Sequence, residues 1–137
     1  MAIFGSTQEM YDHFSPYMEQ LVNDPVVGPK FVAANTSFRV NYSDPDGVMV
    51  LDATQDPAVN KAGEEAKAHD AEVDLFMSAD DGHKFWMGDL NLPLAMARKK
   101  VAIQGPVTKL LGMLPAITPA FGKYREYVQD NPVKASE

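Results

Sequence analysis

The sequence predicts an α+β fold: a single domain in which an antiparallel-rich sheet of about five strands is covered on one face by helices. Three observations lead there. Apolar residues recur at helical spacing from Met10 to Leu21, alternate from Ser37 to Tyr42, and return to helical spacing from Val107 onward. Strong turn and cap residues separate these stretches. No internal repeat or low-complexity linker divides the chain.

The elements follow in order. Ser6-Thr7-Gln8-Glu9 is a capping box, with Ser6 at the N-cap and Glu9 reaching back to it. Met10, Phe14, Tyr17, Met18 and Leu21 then form one apolar helical face. Asp24-Pro25 opens a shorter turn of helix, which Gly28-Pro29 should interrupt and Asn35 should end. Phe38, Val40 and Tyr42 point one way and Ser37, Arg39 and Asn41 the other, the pattern of a half-buried strand. Asp44-Pro45-Asp46-Gly47 is a turn, and Val48-Met49-Val50-Leu51 is the returning strand of a hairpin. Between Asp56 and Asp70, alanines, lysines and glutamates favour helix by propensity, with a short strand and loop as the competing reading.

Val73–Met77 reads as a further strand. Ser78 to Asp81 caps a helix bearing Phe85 and Trp86, which Gly88 closes. Asn91-Leu92-Pro93 starts a short alanine-rich helix, and Val101-Ala102-Ile103 is the last strand. Pro106 opens a helix with Val107, Leu110, Leu111 and Leu114 on one face, and Pro115 stops it. Thr118-Pro119 caps and opens a final helix whose apolar face is Phe121, Tyr124 and Val128. With so little apolar surface, that helix should be marginally docked and able to act as a lid.

Composition excludes several functions. The 137 residues make one domain, residues 1–131, followed by a tail expected to fray over 132–137. A net charge of -7 repels nucleic-acid phosphates and anionic membranes, so no nucleic-acid partner is expected. The absence of cysteine removes disulfides, thiolate metal sites and a cysteine nucleophile. The first residues carry neither a basic region nor an apolar run, and no stretch approaches the roughly 20 apolar residues of a bilayer span. A soluble, cytoplasmic protein without stable membrane insertion is expected.

From Val73 to Leu114 the order and spacing of elements resembles the sterol carrier protein type 2 family. The resemblance rests on a strand ending at Ser78 and an acidic cap at Asp80-Asp81 with Gly88 beyond it. The helix at Ala95-Met96, the strand Lys99 to Gly105 and the leucine-rich helix at Leu110-Leu111 complete it. The hairpin at Phe38 to Leu51 falls where the family's first two strands would. The family's third strand would then fall near Ala58 to Lys61, with Gly63 as its turn, so strand is preferred there to helix. The resemblance implies an apolar cavity enclosed by sheet and helices, binding a sterol, fatty acid, acyl coenzyme A ester or phospholipid.

On that reading Phe85, Trp86, Leu90, Leu94 and Met96 would line the cavity with Leu110, Leu111, Met113, Leu114, Ile117 and Phe121. By themselves such stripes mean core packing. Arg98-Lys99-Lys100, the one basic cluster, is either a solvated patch or a site for a ligand's anionic headgroup. Asp80 and Asp81 are explained by the helix dipole, and no spacing supports a metal site. No catalytic residue and no cofactor is expected: there is no Gly-x-Ser-x-Gly elbow and no phosphate-binding loop. Two rivals stay open. One is a small enzyme acting on an apolar acyl or steroid substrate with His83 or Asp81 as base. The other is a non-catalytic assembly module, and a homodimer is also left open.

Overall fold

The computed structural model describes residues 2–133. Helix α1, Thr7–Val22, begins as its cap demands: Ser6 Oγ accepts from the Glu9 N–H. The Glu9 carboxylate accepts from the Gly5 N–H at 3.0 Å instead of turning back on Ser6. The buried face comprises Met10, His13, Phe14, Tyr17, Met18, Leu21 and Val22. Pro16 lies inside the helix on its exposed side, and the packing of that face carries the helix past the missing N–H.

Helix α2, Val27–Ala34, corrects an expectation. Gly28-Pro29 opens this helix and does not interrupt it. Asp24 Oδ1 accepts from the N–H groups of both Val26 and Val27 at 2.8 Å, and Pro29 falls in the first turn, where its missing N–H costs nothing. A Cβ on Gly28 would lie 2.6 Å from the Val22 carbonyl oxygen, so only glycine allows α2 to fold back so closely on α1. Asn35 closes the helix in the left-handed conformation, as its position suggested.

Strands β1, Ser37–Ser43, and β2, Gly47–Asp52, form the expected antiparallel hairpin. The ambiguous stretch after Asp56 divides between its two readings. Val59–Ala62 is strand β3, Gly63 turns with φ +76°, and Glu64–Ala68 is the short helix α3. Strand β4, Val73–Ser78, pairs with β1 in parallel, and β5, Ala102–Gln104, is antiparallel to β4. The five-stranded sheet runs β3-β2-β1-β4-β5. It is therefore mixed, with antiparallel pairings in the majority.

Register sorts the side chains. Phe38, Val40 and Tyr42 stand beside Val73, Leu75 and Met77 across the parallel pair, with Met49 and Leu51 opposite Val40 and Phe38 on the other side. The opposite face is polar there. Arg39 is paired with Asp74 in register and grips both carboxylate oxygens, Nε to Oδ1 at 2.6 Å and Nη2 to Oδ2 at 2.9 Å. Asn41 adds a bond to the same carboxylate, and this arrangement holds the Asp74 carboxyl below its ordinary range despite partial burial.

The remaining helices lie on the apolar side of the sheet. They are α4 (Ala79–Met87), α5 (Leu92–Ala97), α6 (Val107–Met113) and α7 (Thr118–Asp130), the last of them packed on α1 and α4. Ser78 and Asn91 cap α4 and α5 through their side chains. Thr118 does not cap α7: Ile117 holds the N-cap and Thr118 is the first helical residue. Nor is α7 a lightly held lid. Its buried residues are Ala120, Tyr124 and Tyr127, and each is tied to α1 by a hydroxyl group. Tyr17 Oη donates to the Ala120 carbonyl at 2.5 Å, and Tyr127 Oη donates to the His13 carbonyl at 2.6 Å. Tyr124 Oη meets His13 Nε2 at 2.8 Å. Of the expected face of Phe121, Tyr124 and Val128, Tyr124 is buried, whereas Phe121 and Val128 flank the buried line and are half-buried. Val133, expected to fray, packs against the core, while 134–137 lie outside the described residues.

Two fully packed tyrosines on α7 are together worth about 6–10 kcal/mol, by comparison with large-to-small core losses of about 3–5 kcal/mol each. That rivals the whole stability of a domain, about 5–15 kcal/mol. Ending the chain after Pro115 should therefore abolish cooperative unfolding in circular dichroism melting, and a sharp transition in the truncated chain would contradict this packing.

Candidate functional site

Between the apolar sheet face and the helices lies a pocket of about 90 Å³. Its floor is Phe38, Val40 and Tyr42 from β1, Met49 and Leu51 from β2, and Leu75 and Met77 from β4. Its roof is Phe14 and Met18 of α1, Phe31 of α2, Phe85 and Trp86 of α4, Leu92 of α5, Leu110 and Met113 of α6, and Ile117. Gly82 also borders it. A Cβ there would lie 2.7 Å from Tyr42 Cε1, so the glycine lets α4 sit directly on the Tyr42 ring, which stacks on Phe14 from the other side at 5.5 Å. Asn60 of β3 is the one amide side chain in the wall.

Of the residues singled out from sequence, Phe85, Trp86, Leu110, Met113 and Ile117 line this pocket. Leu90, Leu94, Met96, Leu111, Leu114 and Phe121 do not. Leu94 is 44% exposed, and Leu90, Met96, Leu111 and Leu114 pack on the outside of the core. On α6 the lining stripe is Leu110 and Met113; Leu111 and Leu114 each stand about 100° further round the helix. Phe121 backs the pocket from behind, its ring edge-on to Phe85 at 5.6 Å. Sequence reading missed the whole floor, together with Phe14, Met18, Phe31, Leu92 and Asn60. The strand alternation at Phe38-Val40-Tyr42 was the available signal, since those residues had to face whatever the helices covered.

Arg98, Lys99 and Lys100 are exposed at the end of α5 and do not border the pocket. There they face the negative end of the helix dipole, and Lys99 turns the chain with φ +61°. Asp81 and His83 are likewise absent from the lining. Among the described residues, no group of three or more metal-binding side chains converges, and no helix is long and apolar enough to cross a membrane.

A second, polar chamber of about 430 Å³ lies at the edge of the sheet. Its walls are Glu19, Val22 and Asn23 at the end of α1 and the stretch from Gln55 to Asn60. Asn60 borders both spaces.

Behind the pocket, Tyr124 Oη lies 2.8 Å from His13 Nε2 and 2.7 Å from His83 Nδ1. One hydroxyl proton serves two ring nitrogens, so one nitrogen must accept from the tyrosine and the other must donate to it. Burial, reinforced by His83, pushes His13 down from 6.5 to about 4. Burial also lowers His83, against the pull of Asp80 and Asp89. The cluster fastens α1 and α4 to α7 through neutral imidazoles.

The fold is that of sterol carrier protein 2. The structure aligns with the apo form of sterol carrier protein 2 from Yarrowia lipolytica at a TM-score of 0.57 and 20% identity, over 80% of this chain and 90% of that one. A sterol carrier protein domain from Helicoverpa armigera gives 0.61 and 18%, over 82% and 88%. The ubiquinone synthesis protein UbiJ gives 0.58 and 14%, over 77% and 85%. No protein-family model matches the sequence, and no curated protein matches it.

The histidine cluster sets a pH dependence. A folded value below the unfolded one means that the unfolded chain binds more protons between about pH 4 and 6.5, so stability is lost as pH falls through that window. His13 alone should remove about 2 kcal/mol between pH 7.5 and 5, with His83 adding to the loss. Urea unfolding at the two pH values measures the difference, and a His13→Gln variant should show the flatter dependence.

Proposed function

We propose that this protein is a non-catalytic lipid carrier, holding an apolar molecule in the pocket between sheet and helices and delivering or presenting it to a partner in the cytoplasm. The observation that carries the reading is the pocket wall itself: aliphatic and aromatic side chains on every side, relieved by one amide at one end. Evolving a core normally fills such space, because an interior void forfeits contacts. A void kept open and walled by Met18, Met49, Met77 and Met113 suits a ligand of variable shape, since thioethers adapt to irregular contents. The shared fold supports the same reading, since the Yarrowia and Helicoverpa proteins are named as sterol carriers.

The mechanism is exchange. An apolar ligand leaves water for the pocket and gains about 25 cal/mol for each Å² of apolar surface buried. Because α7 is tied to α1 through three hydroxyl groups, entry calls for movement elsewhere in the roof. The short helices α5 and α6 suit that role: α6 has no side-chain cap, and α5 has six residues.

Long-chain apolar ligands should raise the melting temperature. At 100 times the dissociation constant the gain is about 2.7 kcal/mol, or roughly 5–10 °C for a chain of this size. Filling the pocket should remove the effect, so Met113→Trp and Leu110→Phe should each weaken binding at least tenfold while circular dichroism retains the native spectrum. Undiminished binding in both folded variants would place the ligand elsewhere.

A further inference from the structure

We infer that the ligand's polar end carries no negative charge and donates hydrogen bonds, as the hydroxyl of a long-chain alcohol or the ammonium of a long-chain amine does. This rests on the lipid-pocket reading above and adds to it the chemistry of the polar end.

The argument starts from Asn60. It lies opposite Leu51 on strand β3 and so shares the apolar face of the sheet, and it borders both the apolar pocket and the polar chamber. A molecule whose tail fills the first space therefore finds the second at that end. The walls of the two spaces contain no lysine, arginine or histidine. Glu19 and Asp56 bring two carboxylates to the chamber.

The amides in the chamber reinforce that bias. Asn23 Nδ2 donates to the Glu19 carbonyl at 2.8 Å, and Gln55 Nε2 donates to Asp52 Oδ2 at 2.9 Å. Asn60 Nδ2 is turned toward Ser15 Oγ at 3.5 Å. Each amide thus uses one of its two N–H donors within the protein, whereas the two carboxylates of the chamber only accept. A carboxylate or phosphate placed there would gain no cation from the wall and would face two like charges. A hydroxyl or ammonium group finds acceptors at once. The basic cluster Arg98 to Lys100, which would suit an anion, borders neither space.

Three probes with the same sixteen-carbon tail test the inference: hexadecylamine, hexadecanol and palmitate, each displacing an uncharged fluorescent lipid at pH 8 below its aggregation threshold. Amine and alcohol should each bind at least tenfold more tightly than palmitate. The double variant E19Q/D56N, altered only at exposed positions, should narrow the gap between amine and palmitate to under threefold. Palmitate binding as tightly as the alcohol would overturn the inference while leaving the pocket reading intact, and so would an unchanged gap in the double variant. If the fluorescent lipid itself does not bind, the lipid reading fails and the inference fails with it; if it binds and neither amine nor alcohol displaces it, the inference alone is overturned.

Discussion

Parallel pairing of β1 with β4 aligns Phe38, Val40 and Tyr42 with Val73, Leu75 and Met77, and everything else in the molecule is arranged around that alignment. Side chains alternate between faces, so a slip of one residue would carry every one of these groups to the opposite side. The register is held from behind. Arg39 and Asp74 stand beside each other on the polar face and make two short charge-assisted bonds, with Asn41 closing on the same carboxylate. A slip would part that pair while exposing the apolar row. Both faces therefore specify the same pairing, one through burial and the other through a bidentate contact.

An apolar face three strands wide must be covered, and the covering helices are tied to one another by specific polar contacts. Helix α1 is the hub. It gives Phe14 and Met18 to the pocket on one side and binds α7 on the other through Tyr17, His13 and the hydroxyl groups of Tyr124 and Tyr127. Those polar contacts set how close α7 and α4 can come. Gly82 brings α4 onto Tyr42 at one point, and beyond that point the roof stands off the sheet.

Much of this was legible in the sequence, and the limit is physical. Caps at Ser6, Ser78 and Asn91, the hairpin at Asp44 to Gly47 and the closing Gly88 are local features, decided by residues within a few positions of one another. Gly28-Pro29 misled because a proline breaks a helix in its interior and suits one in its first turn, and the choice depended on Asp24 supplying the start. The parallel β1–β4 pair joins residues separated by 35 positions, and no local pattern announces it. Six of the eleven candidate lining residues stand outside the pocket for a similar reason. Periodicity identifies which residues share a face, but the void lies where two faces fail to meet. Leu110 and Met113 were separated from Leu111 and Leu114 only by the direction in which α6 docks. The tyrosines of α7 are the clearest case: their hydroxyl groups reach His13 of α1, 111 and 114 positions away, and they convert an expected lid into a clamp.

The central claim, that the protein holds an apolar molecule in a pocket it keeps open, is most directly tested by what it contains. Protein purified under native conditions and extracted into organic solvent should yield, by mass spectrometry, a long-chain apolar compound approaching one equivalent per chain. Delipidated protein should recover that content on incubation with the same extract. Protein that emerges clean and takes up nothing on re-exposure would contradict the account, since the pocket would then be a packing fault and not a site.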